Sequence, residues 1–255
     1  MAILQSVQTA LRVLETVATH QPIGVSDVGR HLKINKMTAQ RCLQTLCACG
    51  WIKREGDAPQ TRWQITSKAF SIGRHVAENG NLRETALPVM KKLWEKIGES
   101  IHLVIAEGER AVLLERLETP QPVRLFLPMG GSAPLHAVAS GKAILAFYDE
   151  PFLKRYIAAG LERLTKQTIG DADLLRKQLA QIRLRKWATA VDELAYGASA
   201  AASPIFDVKG HVVASLTISC PTSRFPKAVR GKYVALLVEA AAEISRHLGR
   251  HDRSL

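Results

Sequence analysis

The stretch Val25 to Ile52, VSDVGRHLKINKMTAQRCLQTLCACGWI, constrains the fold most, because it reads as two helices separated by only Leu32-Lys33-Ile34. Ser26 can cap a short first helix carrying Val28 and Leu32, and Asn35 a longer second one whose Leu43 and Leu46 face inward. So short a connection is a turn, and the second helix must cross the first steeply, as in a helix-turn-helix. Its first turns present Asn35, Lys36, Met37, Thr38, Gln40 and Arg41, hydrogen-bonding side chains where a recognition helix meets base edges and phosphates of double-stranded DNA.

Charge agrees with a polyanionic partner without locating it. The 255 residues carry a formal net charge of +12, and residues 1–80 hold ten Lys/Arg against five Asp/Glu, so the excess is spread along the chain. A hydrophobic content of 47% suffices for a buried core in one large or two modest domains. No apolar run approaches the roughly 20 residues that cross a bilayer, and no signal-peptide pattern opens the chain, so a cytoplasmic protein is expected. Cys42, Cys47, Cys49 and Cys220 lack zinc-like spacing. Neither a metal nor a cofactor is expected, and the thiols read as small apolar filler in a reducing compartment.

In chain order, Ser6 to Ala18 places Val7, Ala10, Leu11, Leu14 and Val17 on one apolar helical face. After the helix pair, Trp51–Arg54 and Arg62–Ile65 are strand-like runs around a turn at Glu55 to Gln60, a wing whose Lys53, Arg54 and Arg62 can meet phosphates. From Lys68 to Gly98 the pattern is helical, broken near Asn79-Gly80-Asn81 and at Pro88. Three parts follow: a winged helix-turn-helix domain over 1–67, a linker helix over 68–80 and a second domain over 81–255. In the last, Ile101–Glu107 and Ala111–Leu117 form a hairpin, and Val123–Leu127, Ala188–Asp192 and His211–Ser219 read as strands. Helices are expected at Gly141–Phe147, Glu150–Ala158, Asp171–Lys186 and Val229–Leu248, giving an α+β domain with helices packed on an antiparallel sheet.

These residues carry a family resemblance. Ile34-Asn35-Lys36-Met37-Thr38-Ala39-Gln40-Arg41-Cys42-Leu43, Thr45-Leu46 and Gly50-Trp51-Ile52 resemble the reader of the IclR family of bacterial transcriptional regulators, with Met37 where Ser is usual. Pro134-Leu135-His136-Ala137-Val138-Ala139-Ser140-Gly141-Lys142-Ala143 is close to the family's P-L-H-A-T-A-x-G-K-A, and Glu193, Gly197 and Ala202-Ser203-Pro204-Ile205 keep its later spacing. The resemblance implies a winged-helix reader of operator DNA, a helical linker and a GAF-like α/β domain that binds a small organic acid effector, assembled as a homodimer or homotetramer. It places pocket-lining positions at Met129, Ala139, Ser140, Ala190, Ala200, Thr217 and Ser219. Ala190 stands where members binding small acids often carry Asp, and Ala200 where Cys is usual. A pocket without those two polar handles should be larger and more apolar, suited to a partly apolar, aromatic acid.

Two rival readings are weaker. His136 and Ser140 are four apart and suggest a base and nucleophile for acyl transfer. The string holds no acid to orient the histidine and no G-x-S-x-G elbow, and Ser140 at a helix start reads as a cap. Asp192 and Glu193, adjacent on an expected strand, would face opposite sides and not share acid-base work. A sensing module without DNA function would leave the basic second helix unexplained.

Overall fold

The computed structural model describes residues 3–56, 61–78 and 81–251, apart from the side chains of 74–78, 250 and 251. The chain divides into two compact units, Met1–Asn79 and Gly80–Leu255.

The first unit contains α1 (Gln5–His20), α2 (Val25–Leu32), α3 (Lys36–Ala48), β1 (Ile52–Glu55), β2 (Arg62–Ile65) and α4 (Lys68–Glu78). Its core joins Val13 and Val17 of α1, Val28 of α2, Leu43 and Leu46 of α3, and Ile52 and Trp63 of the hairpin. Only the C-terminal half of α1 is covered: Val7 and Leu11, expected on the buried face, are more than half exposed. Helix α2 begins two residues earlier than expected. Gly24 is its N-cap and Ser26 lies exposed inside the first turn, so the expected Ser26 cap does not form. The turn closes through Lys33, which adopts the left-handed conformation, with Ile34 N–H donating to the Gly29 carbonyl at 3.0 Å. A side chain at Gly29 would press on the Ile34 carbonyl, which is why the smallest residue stands there. Asn35 caps α3 as expected, its Oδ1 accepting from Thr38 N–H at 2.7 Å. The expected wing strands pair antiparallel, Ile52 opposite Ile65. Residues 57–60 of the expected turn, and 79 and 80 of the expected break, lie outside the described residues.

The second unit runs α5 (Leu82–Ile97), β3 (Ser100–Glu107), β4 (Arg110–Leu117), β5 (Ser132–Pro134), α6 (Ala139–Leu145), α7 (Glu150–Ala158), α8 (Ala172–Arg185), β6 (Ala188–Val191), β7 (Ala198–Phe206), β8 (Val212–Pro221) and α9 (Lys227–His251). Six strands form an antiparallel sheet in the order β5-β4-β3-β8-β7-β6. Strand alternation sorts its two faces. Ile101, Leu103, Leu216, Ile218 and Cys220 pack on Val89, Met90 and Leu93 of α5 and Leu237, Ala241 and Ile244 of α9. Val104, Ala188, Ala190 and Ala202 of the other face pack with Ala143 and Leu145 of α6 and Leu175, Leu179 and Ile182 of α8.

Three expectations are corrected here. Pro88 lies inside α5 and does not break it: the ring removes one backbone bond, but the buried face Ala86, Val89, Met90 and Leu93 holds the helix through it. Residues 123–127 form no strand, being irregular chain. Two strands are unexpected, β5 at the edge of the sheet beside β4 and β7 between β6 and β8. Strand β6 ends at Val191, and Asp192 with φ 58° turns the chain, so Asp192 and Glu193 lie in a loop and not on a strand.

Candidate functional site

The second helix of the helix-turn-helix offers a continuous polar surface. Asn35, Lys36, Met37 and Arg41 are exposed, Thr38 and Gln40 are half-buried, and Ala39, Leu43 and Leu46 face the core. Met37 is 75% exposed, so its thioether points to solvent and does not pack against the turn. Lys53, Arg54 and Arg62 are exposed on the adjoining hairpin. Helix α4 is tied to this unit by Lys68, whose Nζ donates to the Cys49 carbonyl at 2.7 Å and lies over the Trp51 ring.

A cavity of about 360 Å³ opens between the sheet and α6 in the second unit, within the size range of small-molecule sites. Register assembles its wall. Ala190, Ala200 and Ser219 lie side by side on β6, β7 and β8, and Ala202, Thr217 and His102 form the next row on β7, β8 and β3. Ala139 and Ser140 of α6 close another side, and Leu125, Phe126, Leu127 and Pro128 line it from the irregular chain before β5. Of the positions expected to line a pocket, Ala139, Ser140, Ala190, Ala200, Thr217 and Ser219 meet here, while Met129 lies outside the lining and is half exposed. Among the described residues, no lining residue is Asp, Glu, Lys or Arg. Polar groups are confined to a few hydroxyls and His102, which the sequence reading missed; its only signal is a strand position two residues from Val104 on the same face.

The motif over 134–143 builds the wall for identifiable reasons. A Cβ on Gly141 would fall inside contact distance of the Leu135 backbone, so only glycine lets α6 lie against the preceding turn. Val138 is the N-cap of α6 and Ser140 stands inside its first turn without capping it, which corrects the expected role. Lys142 is fully buried and meets both Glu193 carboxylate oxygens, at 2.7 and 2.8 Å, pinning α6 to the β6–β7 loop beside Leu194 and Ala195 of the cavity. Burial pulls the Lys142 ammonium pKa down and pushes the Glu193 carboxyl up, and their contact opposes both. Asp192 fixes the same loop, accepting from Gly197 N–H at 2.8 Å and Thr222 Oγ1–H at 2.7 Å.

His136 is packed and fully engaged. Its Nδ1 meets the Tyr156 hydroxyl at 2.6 Å and its Nε2 the Glu162 carbonyl at 2.9 Å, and burial lowers its pKa. Neither ring nitrogen is left to activate Ser140. Cys220 is buried with its thiol pushed up to about 12, mainly by burial, which suits inert filler. Among the described residues no cluster of His, Cys, Asp or Glu has the makings of a metal site, and no helix is long and apolar enough to cross a membrane.

Known proteins resemble this arrangement over nearly its whole length. Residues 6–56 match the IclR helix-turn-helix domain, and residues 74–246 match the family described as bacterial transcriptional regulator IclR C-terminal. The HTH-type transcriptional regulator KdgR of Escherichia coli (strain K12) is 31% identical over 251 residues, covering 98% of this chain and 94% of its own. The crystal structure of Thermotoga maritima IclR superposes with a TM-score of 0.80 at 28% identity, over 97% of this chain and 100% of that one. An IclR homolog from Microbacterium hydrocarbonoxydans, crystallised in complex with 4-hydroxybenzoate, gives a TM-score of 0.81 at 25% identity, over 95% of this chain and 98% of that one.

Proposed function

Because this chain belongs to the IclR family of bacterial transcriptional regulators, and is therefore a DNA-binding regulator and not an enzyme, we propose that a carboxylic acid with an apolar, aromatic body fills its cavity and sets its grip on operator DNA. The observation that carries this reading is the cavity lining: an apolar surround with Ser140, Thr217 and Ser219 hydroxyls, and alanine at both 190 and 200. Ser140 and the backbone at the start of α6 receive the carboxylate, and Leu113, Leu125 and Phe126 surround the body. The 4-hydroxybenzoate held by the Microbacterium homolog is a ligand of this class.

Asn35, Lys36, Met37, Thr38, Gln40 and Arg41 read base edges and nearby phosphates, and Lys53, Arg54 and Arg62 hold the backbone beside the groove. One such helix contacts too few base pairs for specificity, so a homodimer or homotetramer binds a pseudo-palindromic operator in the cytoplasm. The exposed apolar residues Val7 and Leu11 of α1, with Leu4 at its N-cap, favour self-association.

A thermal-shift screen of small acids tests the effector reading. Aromatic monocarboxylates should stabilise the protein more than glyoxylate, pyruvate or lactate, and Ala190→Asp should reverse that order. Stabilisation by the short acids alone would overturn it.

A further inference from the structure

Besides Ser140, the cavity wall carries the polar side chains Ser132, Ser199, Ser219, Thr217 and His102, of which Ser132 bonds Arg110 and Ser199 bonds Thr222. His102 and Thr217 are register partners on β3 and β8, each 4% exposed, and both line the cavity. The Thr217 Oγ1 has no hydrogen-bond partner among the described residues, and burial and the charge of Arg116 lower the pKa of His102. In the same row stand Ala202 beside Thr217 and Arg116 beside His102, with Ser215 and Ser219 two residues either side of Thr217 on its strand. Buried polar atoms normally find partners, and a hydroxyl left without one beside a buried imidazole on the wall of a cavity points to a partner that enters it.

The chemistry of that partner follows from the protonation state. Burial first, and Arg116 second, hold the His102 pKa down at about 4, so near neutral pH the ring has one N–H donor and one acceptor nitrogen. Arg116 is itself engaged, with Glu118 at 3.0 Å, the Leu127 carbonyl and the Phe126 ring. The Thr217 hydroxyl also donates and accepts. Neither residue then carries a positive charge to offset that of a carboxylate, whereas a neutral hydroxyl can accept from one of the two and donate to the other.

We propose that His102 and Thr217 are a specificity-determining pair that receives a neutral hydroxyl on the body of the effector, separate from the group held at Ser140. The inference rests on the proposed effector reading only for the ligand's aromatic body, and it stands if that ligand proves uncharged.

Calorimetric titration of the full chain with benzoate, its three monohydroxy isomers, benzamide and 4-hydroxybenzamide tests it. One hydroxylated compound should bind about tenfold or more tighter than its unsubstituted parent, because an analogue lacking the hydroxyl strands the buried pair. That ratio should fall to near one in His102→Leu and in Thr217→Val and survive in His102→Gln, which keeps a donor and an acceptor. A merely structural role would weaken both members of a ligand pair alike and leave the ratio unmoved. An unchanged ratio in a folded His102→Leu overturns the proposal, as does a parent protein indifferent to the hydroxyl. If His102→Leu does not fold, Thr217→Val carries the same comparison. A His102-dependent ratio seen only with the amides supports the pair while overturning the carboxylate reading, and failure of all six compounds to bind overturns both.

Discussion

Lys142 is the residue with most at stake outside the cavity itself. A buried ammonium is tolerated only while paired, and here Glu193, also buried, supplies both carboxylate oxygens while Gln178 Oε1 accepts at 3.2 Å. Lys142→Met should therefore cost about 3–5 kcal/mol in urea unfolding, since it leaves the Glu193 charge stranded, and Lys142→Met with Glu193→Leu should recover part of that loss. Additive losses in the double variant would show that the pair is not coupled. His102 makes a second residue-scale prediction. Its pKa falls from 6.5 to about 4 on folding, so as pH drops the unfolded chain takes up a proton that the folded chain refuses. The stability it contributes is complete above about pH 6.5 and is lost progressively toward pH 4, to the extent of about 3 kcal/mol relative to His102→Gln. Parallel pH profiles for the two proteins would refute this. Lys142 and Gly141 are visible in the motif string, but their reasons are not: the Leu135 backbone and a glutamate in a distant loop become neighbours only in the fold. His102 was invisible as a site residue because pairing with Thr217 is a matter of strand register, which one sequence does not display.

Among the elements, those with apolar periodicity were legible, as was the buried strand β8 with its Val, Leu and Ile, whereas the small-residue strand β7 was not. The helix-turn-helix, the wing and the β3–β4 hairpin carry apolar periodicity against polar positions and caps such as Asn35. Strand β7, ASAAASPIF, is buried along nearly all its length between two strands and two helix layers, so it shows small residues without alternation. Residues 123–127 show the opposite trap, alternating apolar positions that line a cavity instead of a sheet. The reader separates recognition from folding within one helix. Arg41→Ala, at an exposed position, should weaken operator binding in a gel-shift titration while leaving the melting temperature nearly unchanged, whereas Leu43→Ala should destabilise the first unit by about 2–5 kcal/mol. Operator affinity untouched in Arg41→Ala would remove that residue from the interface. Lys53→Ala and Arg62→Ala should each reduce the dependence of log affinity on log salt by about one phosphate contact, without changing preference among operators.

For the whole molecule, the two units have separate cores, one around Val28, Leu43 and Trp63 and the other around the six-stranded sheet. A ligand in the cavity can therefore influence the reader only if it favours one of two states of the chain over the other, and its leverage equals its difference in affinity for them. Linkage makes that statement measurable without knowing whether the regulator represses or activates. Whatever factor a hydroxybenzoate imposes on operator affinity, saturating operator must impose on hydroxybenzoate affinity, in the same direction. Couplings of this kind are commonly about 5- to 150-fold, large enough to resolve by titration. Binding of the ligand to the full chain, with and without operator, should reproduce the factor found by titrating operator with and without ligand. Ala190→Asp should alter ligand affinity in both arms while leaving their ratio intact, because it reshapes the cavity and not the balance between states. A ligand that binds the cavity with one affinity whether or not operator is present would show that the cavity is filled but does not regulate.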